Sequence, residues 1–205
     1  MQRGASRRPP PARYSVHPQS IATTRDSAVA FNLSPSQRSD GVLRIGAAPA
    51  KSQLFGPAGS VEVTVQLPAG SRVEAKAASA ELRGVGRLGD VAFEAANGSV
   101  KLDEADGVRL TLHAGDVSVG RLGGGAEIST QKGDLRITEA VRGTVTLRTE
   151  YGQIAVGAAR GVSACLDAGT SYGRIHNTLT NADGAAAGLN IHATTAYGDI
   201  TARSL

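Results

Sequence analysis

Thr149-Glu150-Tyr151-Gly152-Gln153-Ile154, Thr170-Ser171-Tyr172-Gly173-Arg174-Ile175 and Thr195-Ala196-Tyr197-Gly198-Asp199-Ile200 are three versions of one hexapeptide. Working outward from them, the same glycine slot recurs at Gly98, Gly115 and Gly133, so the glycines are spaced 17, 18, 19, 21 and 25 residues apart. Two residues after each glycine stand Val100, Val117, Leu135, Ile154, Ile175 and Ile200. Seven before it stand Val91, Val108, Ala126, Val145, Leu166 and Ile191, and five before it Phe93, Leu110, Ile128, Leu147, Ala168 and Ala193. Three before it come Ala95, Leu112, Thr130, Thr149, Thr170 and Thr195. An apolar residue or Thr at every second position marks a strand with one buried face.

After the glycine a second strand buries position two and usually position four, at Leu102, Val119, Ile137 and Val156. Each unit therefore reads strand, glycine bend, strand, turn. A single unit cannot cover its own apolar face, so the units must stack with like residues above like. The expected fold is all-β: a repetitive β-solenoid, a β-helix-like stack of about 18-residue two-stranded rungs, with six copies from Val91 onward. Stacking places Tyr151, Tyr172 and Tyr197 in one column, which holds Asn97, Ala114 and Lys132 in the earlier rungs. The tyrosines lie two residues from the inward Thr column, so strand parity points them inward, while the adjacent bend can turn them outward.

Upstream of Val91, Val61-Val63-Val65 and Val73 read as strands, with Pro68 and Gly70 forming a turn between them. The connections lengthen toward the C-terminus, and Asn177 to Gly188 is too small and polar for core, as expected of an insertion at one edge. Composition agrees with many short strands. The 205 residues include 26 Gly, no Trp, one Met, four Tyr and three Phe, which is unlike a helical bundle.

The basic pI resides in the N-terminal arm. Residues 1–51 carry eight Arg or Lys against Asp26 and Asp40, a balance of +6; residues 52–205 carry the other 14 basic and 16 acidic groups, a balance of −2. Residues 1–26 read as a disordered basic, Pro-rich arm, and 27–205 as one β-solenoid domain with clear rungs from about residue 61. The near-neutral body argues against nucleic acid as a partner. Cys165 is the only cysteine, so no internal disulfide forms. Neither a secretory apolar segment nor a transmembrane stretch is present, which leads to an expected cytoplasmic location, or attachment to a surface from there.

Several motif matches dissolve in the repeat. Gly84-Val85-Gly86-Arg87-Leu88-Gly89 fits the dinucleotide pattern, but Val91 and Phe93 follow at strand period where a helix is required, and Gly120-Arg121-Leu122-Gly123 is a near-copy in another rung turn. Gly169-Thr170-Ser171-Tyr172-Gly173 fits the nucleophile elbow, but Ser171 occupies the column of Glu150 and Ala196. His113, His176 and His192 fall in different columns without metal-ligand spacing. Asp116, Asp134 and Asp199 share a column with Ser99, Gln153 and Arg174, which reads as a solvated outer face, not as the paired carboxylates of a glycosidase or a Ca²⁺ site. No catalytic residue, metal site or cofactor is expected.

The run GSVEVTVQLPAGSRVEAKAASAEL (Gly59 to Leu82), the recurring glycine bends and the ending TTAYGDITARSL (Thr194 to Leu205) resemble the bacterial DUF4097 family, also called toastrack and associated with an adhesin label. The likeness covers roughly Gly41 to Leu205, and its wording is nearest to soluble actinobacterial members. It implies a β-solenoid without enzymatic activity; some relatives stand beside membrane anchors or envelope-stress regulators. The expected function is a non-enzymatic, adhesin-like binding or assembly platform for a protein or cell-envelope component. Self-association through an exposed rung or sheet edge is also expected. The alternative is a carbohydrate-binding or carbohydrate-active β-helix, with Tyr151, Tyr172 and Tyr197 as a sugar-stacking ladder.

Overall fold

Alternating apolar residues can only be buried here if successive units lie in register, and the strand pairing meets that condition. The computed structural model describes residues 63–205, together with the backbone of four two-residue strand segments, Thr23–Thr24, Ala30–Phe31, Ala47–Ala48 and Val61–Glu62. The expected basic arm, residues 1–26, lies outside the described residues save for Thr23–Thr24. The first rung comprises β1 (Val73–Ser79) and the start of β2 (Leu82–Asn97); the second takes the rest of β2 and the start of β3 (Val100–Ala114). The third is completed by β4 (Val117–Leu122), and the fourth is β5 (Ala126–Ser129) with β6 (Leu135–Ala140). Then come β7 (Gly143–Tyr151) with β8 (Ile154–Ala158), β9 (Ala164–Tyr172) with β10 (Ile175–Thr178), and β11 (Leu189–Tyr197) with β12 (Ile200–Ser204).

All these strands pair in parallel, forming two stacks that share one hydrophobic core. Val73, Val91, Val108, Ala126, Val145 and Ile191 form one buried column, and Leu82, Val100, Val117, Leu135, Ile154 and Ile200 form another. The repeat extends one rung earlier than the glycine pattern: Val73 to Leu88 is a rung with Ala80 in the glycine slot. The expected turn between rungs is absent at the first two boundaries. There β2 and β3 run straight from one stack into the other, with a register shift between Gly84 and Arg87 in β2. Val63 to Leu67 keeps an alternating burial pattern without forming a ladder strand, and Pro68 accepts both the N–H and the hydroxyl of Ser71 in the expected turn.

Rung order departs from chain order. β7 pairs with β11, and β11 pairs in turn with β9; on the second stack β8 pairs with β12, and β12 with β10. The last rung of the sequence is thus seated between the fifth and sixth. Composition explains the exchange. Four residues after the glycine the last rung has Ala202, buried like Leu102, Val119, Ile137 and Val156, whereas the sixth rung has exposed Asn177. A polar repeat belongs at the end of a stack and an apolar one inside it. The long connections 159–163 and 179–188 follow from this, because the chain must climb one extra rung, about 4.8 Å, and then step back. The second connection is mostly exposed, as expected, but Ala187 is buried and Leu179 packs on the core.

Glycine at the bend is required by two features together. Gly98, Gly115, Gly133, Gly152 and Gly198 have φ between 144° and 157°, a region that L side chains rarely adopt. A Cβ on Gly133 would also lie 2.1 Å from the carbonyl oxygen of Gly115, and one on Gly198 would lie 1.9 Å from that of Gly152. Each bend thus rests on the carbonyl of the bend below. Ala80 is allowed in the first rung because it sits beneath that contact: Gly98 is the residue that approaches the Ala80 carbonyl.

The same carbonyls explain the threonines. Thr149, Thr195 and Thr170 each donate their hydroxyl, at 3.1 Å, to the bend carbonyl one rung below, on Gly133, Gly152 and Gly198 respectively. Among the described residues Thr130, Thr149 and Thr195 are the buried polar residues, and burial does not penalise their hydroxyls: Thr149 and Thr195 donate to bend carbonyls and Thr130 donates to the Lys132 carbonyl at 3.3 Å. The Asp column is exposed, as expected, and also structural: Asp116, Asp134 and Asp199 accept the N–H groups of Asp134, Gln153 and Arg174 in the next rung, each at 2.8 Å. Outside, Lys76–Glu94, Arg87–Asp106, Arg109–Glu127 and Arg121–Glu139 bridge adjacent rungs. The hydrogen bond and charge of Glu94 raise the Lys76 ammonium above its ordinary pKa. Such exposed pairs are screened by solvent and contribute little, so the ladders, the core and the bends carry the stability.

Replacing Gly133 by Ala should cost about 2–4 kcal/mol in urea unfolding, through combined φ strain and carbonyl clash. Ala80→Gly should cost no more than about 1 kcal/mol. Equal losses at the two positions would contradict the bend contact.

Candidate functional site

The column one residue before each bend rises from small to large: Ser79, Asn97, Ala114, Lys132, Tyr151, Tyr197, Tyr172 in spatial order. The three tyrosines share a column as the sequence predicts, but Tyr197 is the middle ring. Parity fails at the bend for a visible reason. The N–H groups of Glu150 and Tyr151 both donate to the Gln131 carbonyl, and those of Gln131 and Lys132 both donate to that of His113. Two consecutive residues oppose one acceptor, the signature of a bulge, which turns the side chain before the glycine outward.

The rings stack closely. Tyr151 and Tyr197 have centroids 5.0 Å apart with planes at 0°; Tyr172 and Tyr197 are 4.9 Å apart at 4°. That spacing is the rise of one rung, so each ring covers its neighbour's face. Tyr151, Tyr197 and Tyr172 are nonetheless 53%, 46% and 66% exposed, and Ile175, which continues the buried Ile154–Ile200 column at the end of the stack, is 43% exposed. These four make up most of the exposed large apolar side chains among the described residues, with Leu205 the other.

A second feature is a shallow groove of about 540 Å³ on the outer face of the first stack, running past Arg72, Asp90, Gly107, Gly125, Glu127 and Thr144. Its floor is low because glycine occupies two rungs; a Cβ on Gly107 would lie 2.5 Å from an Asp90 carboxylate oxygen. The groove is polar and open.

The motif matches fall in ordinary rungs. Gly84 to Gly89 lies within β2, where fully buried Leu88 and Leu102 fill the space a Gly84 side chain would need. Gly169 to Gly173 closes β9, Ser171 is exposed, and strand β10 follows. Sequence spacing leaves His192 without a partner, yet its Nδ1 lies 3.2 Å from Asp167 on the neighbouring rung; the exchanged rung order hides that pair. Cys165 is partly buried in β9. Among the described residues no three His, Cys, Asp or Glu side chains group as metal ligands, and no helix is long and apolar enough to cross a membrane.

The ring order gives a sharp prediction. Tyr197→Ala removes two stacked pairs and should cost about 1–3 kcal/mol beyond lost burial, against about 0.5–1.5 for Tyr151→Ala or Tyr172→Ala. Double-mutant cycles should show Tyr197 coupled to both others, and Tyr151 additive with Tyr172.

Comparison with known proteins agrees with this architecture. No curated protein and no solved structure matches the chain. A family model described as Toastrack DUF4097 matches residues 29–204, which include every rung. The glycine-bent parallel rungs are therefore those of a toastrack domain, and the chain belongs to the DUF4097 family.

Proposed function

We propose that the protein is a non-enzymatic β-solenoid platform that docks a protein or a cell-envelope component at the tyrosine corner. The observation that carries this reading is the stacked, half-exposed column of Tyr151, Tyr197 and Tyr172 on three adjacent rungs. Tyrosine edges and hydroxyls held rigidly by mutual stacking offer contact area at little entropic cost, which is why tyrosine is enriched at binding hot spots. The nearly neutral rung body, with acidic and basic groups paired across rungs, favours a partner recognised by shape and aromatic contact over one recognised by charge.

The carbohydrate reading rests on the same residues but asks for ring faces. Sugars stack on faces, and here each inner face is covered by another ring. A ladder of sugar contacts is thereby disfavoured against a partner that grips the ring edges.

Proximity labelling in the native host should return a reproducible partner with the wild-type chain. With Tyr151→Ser, Tyr172→Ser and Tyr197→Ser combined, its recovery should fall at least tenfold while the strand circular-dichroism signal is kept. Recovery unchanged by the triple variant would remove the corner from the reading, and glycan-array binding lost in that variant would favour the carbohydrate alternative.

A further inference from the structure

The two ends of the stack are unlike. At the first rung the chain itself runs on: Leu67 packs against the core, Gly70 donates to the Arg87 carbonyl, and Gly89 donates to that of Ser71. At the other end stand β9 and β10, each paired on one side only, and among the described residues no strand lies beyond them. The unmet bonds can be named. Gly98, Gly115, Gly133, Gly152 and Gly198 donate their N–H to the rung above, and so do Val100, Val117, Leu135, Ile154 and Ile200. Gly173 and Ile175 are the equivalents in the end rung, with no rung above to receive them among the described residues. The carbonyls of Gly133, Gly152 and Gly198 accept a threonine hydroxyl from above, and that of Gly173 has no such donor among the described residues.

From this edge we infer that a second copy of the chain docks end to end on β9 and β10, around a two-fold axis, to give a closed dimer. Four observations select this occupant. The end rung with its two connections, residues 159–188, carries Arg160 and Arg174 against Asp167 and Asp183, so two copies meet without net repulsion. It contains no Lys and no Pro, the residues with which edge strands are usually blocked from pairing. Its thirty residues match the roughly 20–30 per partner of a standard interface. The outer face of Tyr172, the open face of the stack at this end, and the side chain of Ile175 would both be covered. Because among the described residues this end alone is unpaired, and Leu67 to Ser71 lie against the other, the contact is isologous and closes at two copies instead of propagating as a fibre.

The inference deepens the docking reading of the same corner, but its test uses purified protein alone, so failure to find a host partner leaves it standing and the reverse also holds. Sedimentation velocity of the full chain should show a concentration-dependent monomer–dimer equilibrium. Amide exchange at Gly173 and Ile175 should slow at least tenfold from dilute to concentrated samples. Ile175→Lys should weaken dimerisation at least tenfold while amide protection in β3, β6 and β8 is unchanged, which separates lost association from lost fold. A monomer at every concentration, a dimer indifferent to Ile175→Lys, or growth into filaments would overturn the inference. So would Gly173 and Ile175 amides already protected in the monomer, since another segment of the chain would then hold the edge.

Discussion

Everything in this protein is organised by the contact between a glycine Cα and the carbonyl oxygen of the bend beneath it. A side chain there would sit about 2 Å from that oxygen, well inside van der Waals contact. Once the backbones meet so closely, each rung can be offset from the next only in register, since a one-residue slip would turn the whole apolar set outward. The rest follows from the fixed register: apolar columns in one core, threonine hydroxyls on the bend carbonyls, and aspartates on the bend N–H groups. Of the glycines that superficially spell a nucleophile motif, Gly173 is accounted for by that stacking, while Gly84 of the cofactor-like run is held small by Leu88 and Leu102.

The stack also ranks its own rungs. Within it, every strand satisfies its backbone on both sides, and the buried columns carry small and medium residues, with Phe93 the one buried aromatic among the described residues. At an end, half of those bonds are open and the facing side chains are wet. The rung that gives up least by standing there is the one with Asn177 in the core column and His176 and Thr178 around it, all exposed. The last rung, with Ile191, Ala193, Ile200 and Ala202 buried, gains more from being covered on both sides. Position in the stack follows apolar content, and chain order yields to it at the cost of two longer connections.

Strand identity, inward columns and the aligned tyrosines were legible because they depend on a period of two within a strand and on a repeated glycine, both local. Three things were not. Ala80 stands in the glycine slot of the first rung, so a search anchored on glycine starts one rung late. The outward turn at Tyr151, as at Lys132 below it, goes with two N–H groups sharing one carbonyl, a backbone detail with no residue signature. Rung order is a competition between whole units, and an alignment of repeats cannot state it. Two signals for it were present all the same: polar Asn177 in an apolar column, and intervals that lengthen most on either side of the sixth rung. The repeat itself places the tyrosines together, whereas the one-sided pairing of β9 and β10 among the described residues, and the pairing of His192 with Asp167, depend on the exchanged order.

That exchange is tested most directly by cysteine cross-linking in a Cys165→Ser background. Arg148 lies beside Thr194 in the parallel ladder, and Gly169 lies on the far side of Thr194. Adjacent parallel strands are about 4.8 Å apart, within the Cα separation of about 4.4–6.8 Å that a disulfide tolerates, and strands two apart are beyond it. Arg148→Cys with Thr194→Cys should therefore cross-link on mild oxidation of the folded protein, and Arg148→Cys with Gly169→Cys should not. Cross-linking of the second pair with failure of the first would mean that the rungs stack in chain order, and would contradict this account.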